Sequence, residues 1–278
     1  MKHNIGLYTP PLPKTESYRE TVDLAAEFGV STVECLSCFE FETPDPEIAR
    51  SLRDYADSKN VKFSCLSVHC NLAGENAAAA IARVKAYADV AAVLGSPYLH
   101  HTIVCEDRDP EKVLPYREKY FEQGVRAVRE IYDHAAAKGI RTIYENQGYL
   151  FNGVEGFGRF LKEVERDVGV IADFGNSVQM GETIVDFVKA FAPRICHAHL
   201  KDVILTDDDP TGTGLKTLDG RYKHEVRLGT GEVPFGEAVA VLREAGYRGY
   251  YTVEARTATN DPAELGELLR CADALVNT

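Results

Sequence analysis

Positive charge is scarce in this chain. Lys and Arg number 31 against 43 Asp and Glu, a formal net charge of −12 over 278 residues, which opposes any binding mode that neutralises backbone phosphates. No nucleic-acid partner is expected. Long apolar runs are missing as well, the longest being of helix length and interrupted, so no membrane span is expected. With 45% hydrophobic and 27% charged residues, the composition is that of a soluble globular protein rather than a disordered or collagen-like one. Nothing at Met1-Lys2-His3-Asn4 reads as a signal peptide. The seven cysteines, odd in number and scattered, read as reduced thiols of a cytoplasmic protein. Cys35-x-x-Cys38 has no second pair nearby and reads as structural or incidental. There is no internal repeat and no low-complexity segment, and no G-x-G-x-x-G follows the first β-rich run, which argues against an open doubly wound sheet.

What is present is an alternation of short β-branched or aromatic runs with longer amphipathic stretches, the pattern of βα units around a parallel sheet. The predicted strands are Asn4-Tyr8, Thr32-Leu36, Phe63-Val68, Tyr98-Ile103, Arg141-Glu145, Gly169-Asp173, Ile195-Leu200 and Tyr250-Glu254. The predicted helices lie near 17-28, 46-59, 77-94, 112-138, 154-166, 183-191, 235-245 and 262-275. Asp45-Pro46 and Asp261-Pro262 open helices with a capping side chain and a proline in the first turn, and Gly29, Gly95, Gly139 and Gly246 close helical runs. Eight such units in one chain predict an α/β fold, a single (β/α)8 TIM barrel over 1-278. One connection, 201-234 after strand seven, is far longer than a usual βα loop. Its tip Asp207-Asp208-Asp209 reads as a solvated insertion, and Arg227-Leu228-Gly229-Thr230-Gly231-Glu232 as a substrate lid.

Ionisable residues collect at the C-terminal ends of the predicted strands, which in a barrel share one mouth. Glu145, Asp173, His199 and Glu254 occupy equivalent positions on strands five to eight. A lone carboxylate there is ordinarily a helix cap or a solvated group, but three of them with an imidazole would repel one another unless a cation sat between them. Oxygen-rich ligands with one nitrogen suit Mn2+, Mg2+, Co2+ or Zn2+, with Mn2+ the first choice. The competing reading is an ion network closed by Lys201 and Arg256. His69 and His101, at strands three and four, are candidate substrate contacts or, equally, structural hydrogen-bonding residues. Tyr8 and Glu34 are weaker candidates. Lys201 either binds a substrate oxygen or pairs with Asp202. Backbone amides near Gly229-Gly231, with Arg227 or Lys201 as the cation, would suit a phosphate or, equally, hydroxyls.

The set Tyr144-Glu145-Asn146, Asp173-Phe174-Gly175-Asn176, His197-Ala198-His199-Leu200-Lys201-Asp202 and Val253-Glu254, joined by Gly229-Thr230-Gly231-Glu232-Val233-Pro234-Phe235, resembles the sugar phosphate isomerase/epimerase family with its xylose-isomerase-like barrel. The resemblance spans nearly the whole chain. It implies that His199, the second histidine of H-x-H, binds metal, and that His197 lies deeper, either supporting it or packed in the core. It also implies that strand-three and strand-four histidines face the substrate, and that Glu145 and Glu254, on opposite faces of the substrate, are the catalytic pair. The activity implied is a divalent-metal-dependent isomerase or epimerase acting on a ketose or ketose phosphate, with proton abstraction next to the carbonyl and an enediolate held by the metal. The alternatives are a dehydratase on a keto-sugar or keto-cyclitol, of inosose or dehydroshikimate type, and a non-catalytic sugar-binding subunit. Two departures matter. Asn176 stands where many ketose 3-epimerases carry a histidine; it can bond a hydroxyl but cannot shuttle a proton. The strand-seven loop offers His224 but no D-x-H, which argues against the related apurinic endonucleases. Partners are expected to be small-molecule sugars or sugar phosphates. The oligomeric state stays open, although apolar surface on barrel helices often gives a homo-oligomer.

Overall fold

Short runs of β-branched and aromatic residues form strands, and amphipathic stretches return the chain to the same edge each time. The computed structural model describes residues 4–104, 109–255 and 257–277. Arg256, one of the two cations of the ion-network reading, lies outside them. The strands β1 (Ile5–Tyr8), β2 (Thr32–Leu36), β3 (Lys62–Val68), β4 (Tyr98–His101), β5 (Arg141–Glu145), β6 (Gly169–Asp173) and β7 (Ile195–Leu200) follow one another in parallel. After β7 the chain makes an excursion, β8 (Asp202–Thr206), β9 (Leu215–Lys216) and β10 (Tyr222–Val226), before β11 (Tyr251–Val253) pairs with both β7 and β1 and closes the barrel. The helices α1 (Tyr18–Glu27), α2 (Pro46–Ser58), α3 (Ala77–Leu94), α4 (Pro110–Val113), α5 (Arg117–Ala136), α6 (Gly153–Val164), α7 (Ile184–Phe191), α8 (Phe235–Glu244) and α9 (Pro262–Asn277) connect them. The expected (β/α)8 TIM barrel is the architecture found. No helix among the described residues is long and apolar enough to cross a membrane, and the described cysteines are free thiols.

The punctuation signals behave as their chemistry requires. Asp45 accepts from the amides of Glu47 and Ile48, and Asp261 from that of Ala263. Gly29, Gly95, Gly139 and Gly246 all have left-handed φ. Two expectations need correction. The helix expected over 112-138 is divided into α4, a single 3-10 turn at Leu114–Tyr116, and α5, because Pro115 has no amide hydrogen for the ladder. The stretch 201-234 is no featureless loop: it holds the antiparallel sheet β8-β10-β9.

Period-2 alternation decides what the barrel encloses. Cys65, Ile143 and Ile171 form a buried apolar cluster of their own, with Tyr98 and Cys196 packed against it. Two residues further along the same strands stand Ser67, Glu145 and Asp173, with His100 on β4, so the polar layer is the next rung above the apolar plug. Register shifts at Val33/Glu34 and Val170/Ile171 fall just before Glu34 and Asp173, where such irregularities re-aim a side chain.

The segment 227-233 is latched to the barrel rather than free as a lid. The Asp202 carboxylate accepts from the amides of Gly229, Gly231 and Val233, at 2.8, 2.8 and 3.3 Å. Gly231 is needed because a Cβ there would stand 2.2 Å from Asp202 Oδ1. Replacing Asp202 with Ala is expected to cost about 1.5–3 kcal/mol, the range for a hydrogen bond to a charged group. Amide exchange at Gly229 and Gly231 should accelerate while far-UV circular dichroism stays native. Unchanged exchange at those two amides would show that something else holds the segment.

Candidate metal centre and active site

His199 is the hub of the polar layer. Its Nδ1 lies 3.2 Å from Glu145 Oε2, 3.2 Å from Glu254 Oε2 and 4.0 Å from Asp173 Oδ2. Its other nitrogen, Nε2, lies 3.0 Å from Glu34 Oε2. The four residues expected as ligands are thus brought together, with one donor atom from each within 4.8 Å of the others. Fixed partners aim them. Asn146 accepts from the Asp173 amide and donates to the Asp173 carbonyl and Ser177 Oγ, tying the ends of β5 and β6. Asp173 Oδ1 is occupied by the Gly175 amide, whereas Asp173 Oδ2 and Glu254 Oε2 are buried with no geometrically formed hydrogen bond among the described residues. Each of those two oxygens lies at ion-pair distance from a cationic side chain.

This donor set fits a divalent cation. Three carboxylates and one imidazole nitrogen converge, two of the oxygens face a cation at ion-pair distance, and burial raises the electrostatic cost of leaving the charges uncompensated. Glu34 completes the arrangement. Its Oε2 also stands 2.8 Å from His197 Nε2, and its Oε1 accepts from Ser67 Oγ at 2.6 Å. A carboxylate on Nε2 keeps the hydrogen there and leaves the Nδ1 lone pair for a metal. His197, wholly buried and also 3.1 Å from Thr252 Oγ1, occupies the deeper place expected of it.

Burial lowers the pKa of His199, but Glu34, Glu145 and Glu254 outweigh it and hold the imidazolium well above its ordinary range. Burial raises Glu145, yet its hydrogen bond to His199 and the charge of His100 leave it lowered. Glu254 is lowered against burial by Lys201 and His199, while Asp173 is raised because burial exceeds the pull of Lys201. Lys201 Nζ bridges Asp173 Oδ2 and Glu254 Oε1, at 3.0 Å each. Against burial, those carboxylates keep it strongly cationic. Its ion pairs are therefore with two of the candidate ligands and, at 3.9 Å, with Glu225; Asp202 is spent on the 227-233 latch.

The substrate-contact candidates divide. The Tyr8 ring sits edge-on to His199 at 5.7 Å and lines, with Lys201, Glu225, Arg227 and Glu254, a cavity of about 600 Å3. Asn176 is buried beside the cluster. His101 is turned away: Nε2 meets Tyr144 Oη at 2.8 Å and Nδ1 the Thr102 carbonyl, since Tyr98 and His100 are the inward residues of β4. His100 takes the expected place, its Nε2 4.0 Å from Glu145 Oε1 and its Nδ1 3.2 Å from Ser67 Oγ. Burial holds its pKa below the usual value. His69 is exposed past the end of β3, its amide bonded to Ser37 Oγ. Arg227 is exposed and paired with Glu267 at 2.8 Å. The Gly229 and Gly231 amides are spent on Asp202, which removes them as a phosphate cradle. Glu34, His100 and Lys223 carry more of the site than sequence reading assigns them; counting from the apolar plug in steps of two would have found His100.

A family profile described as the xylose isomerase-like TIM barrel matches residues 22–275. An inosose dehydratase from Yersinia enterocolitica is 31% identical over 137 residues, 46% of this chain and 44% of that protein, so the chain spans about half the length of the curated relatives it matches. Among solved structures, D-psicose 3-epimerase with D-tagatose from Clostridium cellulolyticum H10 superposes with a TM-score of 0.73 at 16% identity, covering 99% of this chain and 97% of the other. A xylose isomerase-like TIM barrel protein from Mycobacterium smegmatis in complex with magnesium gives 0.72 at 17%, covering 99% and 97%. At these identities the structural likeness speaks for the fold.

Two outcomes follow for metal binding. His199→Ala should abolish stoichiometric Mn2+ or Mg2+ binding measured by elemental analysis after dialysis, whereas His197→Ala should lower thermal stability more than metal content; equal metal loss from both would reverse the assignment. Because His199 must give up its proton to become a ligand, and its pKa is raised, metal affinity should rise with pH and fall on acidification, with about one proton released per ion in unbuffered titration. Binding without proton release would mean that Nδ1 is not a ligand.

Proposed function

The chain belongs to the xylose isomerase-like TIM barrel family, and on that premise we propose that it is a divalent-metal-dependent enzyme, with Mn2+ the first candidate, that removes a proton next to the carbonyl of a polyhydroxylated ketone and returns it as an epimerase or isomerase. The observation that carries this reading is the placement of Glu145 and Glu254. Both carboxylates reach within 3.2 Å of His199 Nδ1, yet they arrive from β5 and β11, which β6 and β7 separate. They therefore border the same reaction space from different sides. A bound divalent ion supplies Lewis-acid stabilisation of the charge that develops on the substrate carbonyl oxygen.

The protein's own groups do the rest. Glu145 and Glu254 are both held below the ordinary carboxylate range, so each is ionised at neutral pH and able to accept a proton. Lys201, shared between Asp173 and Glu254, keeps an ammonium at the rim of the cavity beside Glu254. Tyr8 keeps its hydroxyl hydrogen, because burial and the charges of Glu254, Glu34 and Glu145 raise its pKa; it offers a donor and an apolar ring edge. His100 stands beside Glu145 with its pKa held below the usual imidazole value by burial. If the proton goes back to the opposite face of the same carbon the product is an epimer, and if to the neighbouring carbon an aldose/ketose isomer.

A second reading, elimination of water from a keto-cyclitol or keto-sugar, is favoured by the similarity to an inosose dehydratase across 46% of the chain and by Asn176, which cannot carry a proton. Both readings begin with the same abstraction. Glu145→Gln and Glu254→Gln keep the shape but not the basicity, and each is expected to lower kcat at least about 100-fold, the lower end for acid–base groups, with a smaller change in KM. In D2O, an epimerase should place deuterium at the carbon that inverts. Near-normal turnover in either variant with metal still bound would reduce that glutamate to a ligand and leave elimination or a one-base isomerisation as the better account.

A further inference from the structure

Lys223 reaches the site from the excursion, on β10, and is almost completely buried. A buried ammonium normally has a carboxylate against it. Among the described residues, the hydrogen-bond acceptor of Lys223 Nζ is a neutral one, Asn176 Oδ1, at 2.8 Å. The charged groups that face it do so at longer range: Lys201 repels, while Asp173, Glu225 and Glu254 attract. Burial and Lys201 prevail, and the pKa falls to about 8.

The ammonium also fixes the amide. Only an oxygen can accept from Nζ, so Asn176 must turn Oδ1 toward Lys223 and present Nδ2 elsewhere. Among the described residues, that Nδ2 is buried with no hydrogen-bond partner. Lys223 and Asn176 thus offer the remaining Nζ hydrogens and an amide NH2, all donors, beside an amide oxygen that already accepts from Nζ. The donors of this pair outnumber its acceptors, so an oxygen that only accepts suits them better than a hydroxyl. An anionic oxygen would satisfy both donors and neutralise the buried charge. Lys223 also lines a cavity of about 580 Å3 bordered by Thr206, Thr211, Thr213, His224 and Glu225, which gives a ligand a route to its side chain.

We propose that Lys223 and Asn176 form a binding subsite for an anionic oxygen of the substrate, a carboxylate or a phosphate, so that the ketone handled here is an acidic one. This rests on the ketone reading above. It also moves the anion site away from the Gly229–Gly231 amides, which Asp202 already occupies.

Calorimetric titration of the Mg2+-loaded and the metal-free protein with inorganic phosphate and with acetate tests the subsite. Wild type should bind one of the two whether or not metal is present, and the one bound identifies the source of the charge. Lys223→Met should weaken that binding at least tenfold. Asn176→Asp, which supplies an internal carboxylate, should abolish it while leaving cooperative unfolding intact, and it carries the test alone if the methionine variant does not fold. With ketone substrates, Lys223→Met should erase a preference for the acidic over the neutral compound mainly through KM. Equal anion affinity in wild type and both variants, or no anion binding by wild type, overturns the proposal. Lys223-dependent anion binding without deuterium exchange into any ketone would uphold the subsite and reject the ketone reading instead.

Discussion

Four carboxylates crowd around one imidazole, that of His199, in the polar upper layer of this barrel, and their mutual repulsion is the constraint that the surrounding structure answers. Glu34 faces one nitrogen of His199, Glu145, Asp173 and Glu254 face the other, and Lys201 spans two of the three. The carboxylates hold His199 in its protonated form, so a proton and a metal ion bound at this candidate site would compete for one position. The backbone keeps the charges close. Asn146 bolts the ends of β5 and β6 together, and the Glu254 amide bonds the Leu200 carbonyl of β7. Below them, Cys65, Ile143 and Ile171 close the barrel with an apolar plug, which denies the carboxylates water from beneath and makes counter-charge the remaining way to stabilise them.

The barrel was legible because its signals are local. Strand runs, Asp-Pro openings and terminal glycines each specify their own few residues, and β2, β5, β6 and β7 have the bounds that composition predicts. The convergence of the four candidate ligands was legible for a related reason, since an ionisable residue recurs at the end of neighbouring strands. What escaped depended on phase or on distance in the chain. His100 and His101 are both histidines at the end of β4, and only the inward phase set by Tyr98 separates the one near Glu145 from the one bonded to Tyr144. Glu34 sits beside a register shift, so no simple alternation places it. Lys223 lies 47 positions from Asn176, on a strand that exists only because 201-234 folds into a sheet of its own.

Glycine-rich stretches at the mouth of a barrel invite an anion-binding interpretation, because exposed amides are what an anion needs. Here that anion is internal. Asp202 follows directly on β7, so the same segment that delivers His199 and Lys201 also delivers the carboxylate that gathers the amides of 229-233. The position of α8 is thereby coupled to the end of β7, and the two ends of the excursion are drawn together.

That pinching has an evolutionary corollary. The sheet β8-β10-β9 is hydrogen-bonded internally and shares no ladder with the eight barrel strands, while Asp202 and the latched 227-233 segment bring its base together like the neck of a handle. The span between them carries its own ladder, its hairpin and Lys223, none of which belongs to the register by which the barrel closes. On the proposed reading, the reacting groups would stand on barrel strands and one of the two groups that recognise the anion on the excursion, so a change at position 223 would alter recognition while leaving the barrel's register as it is.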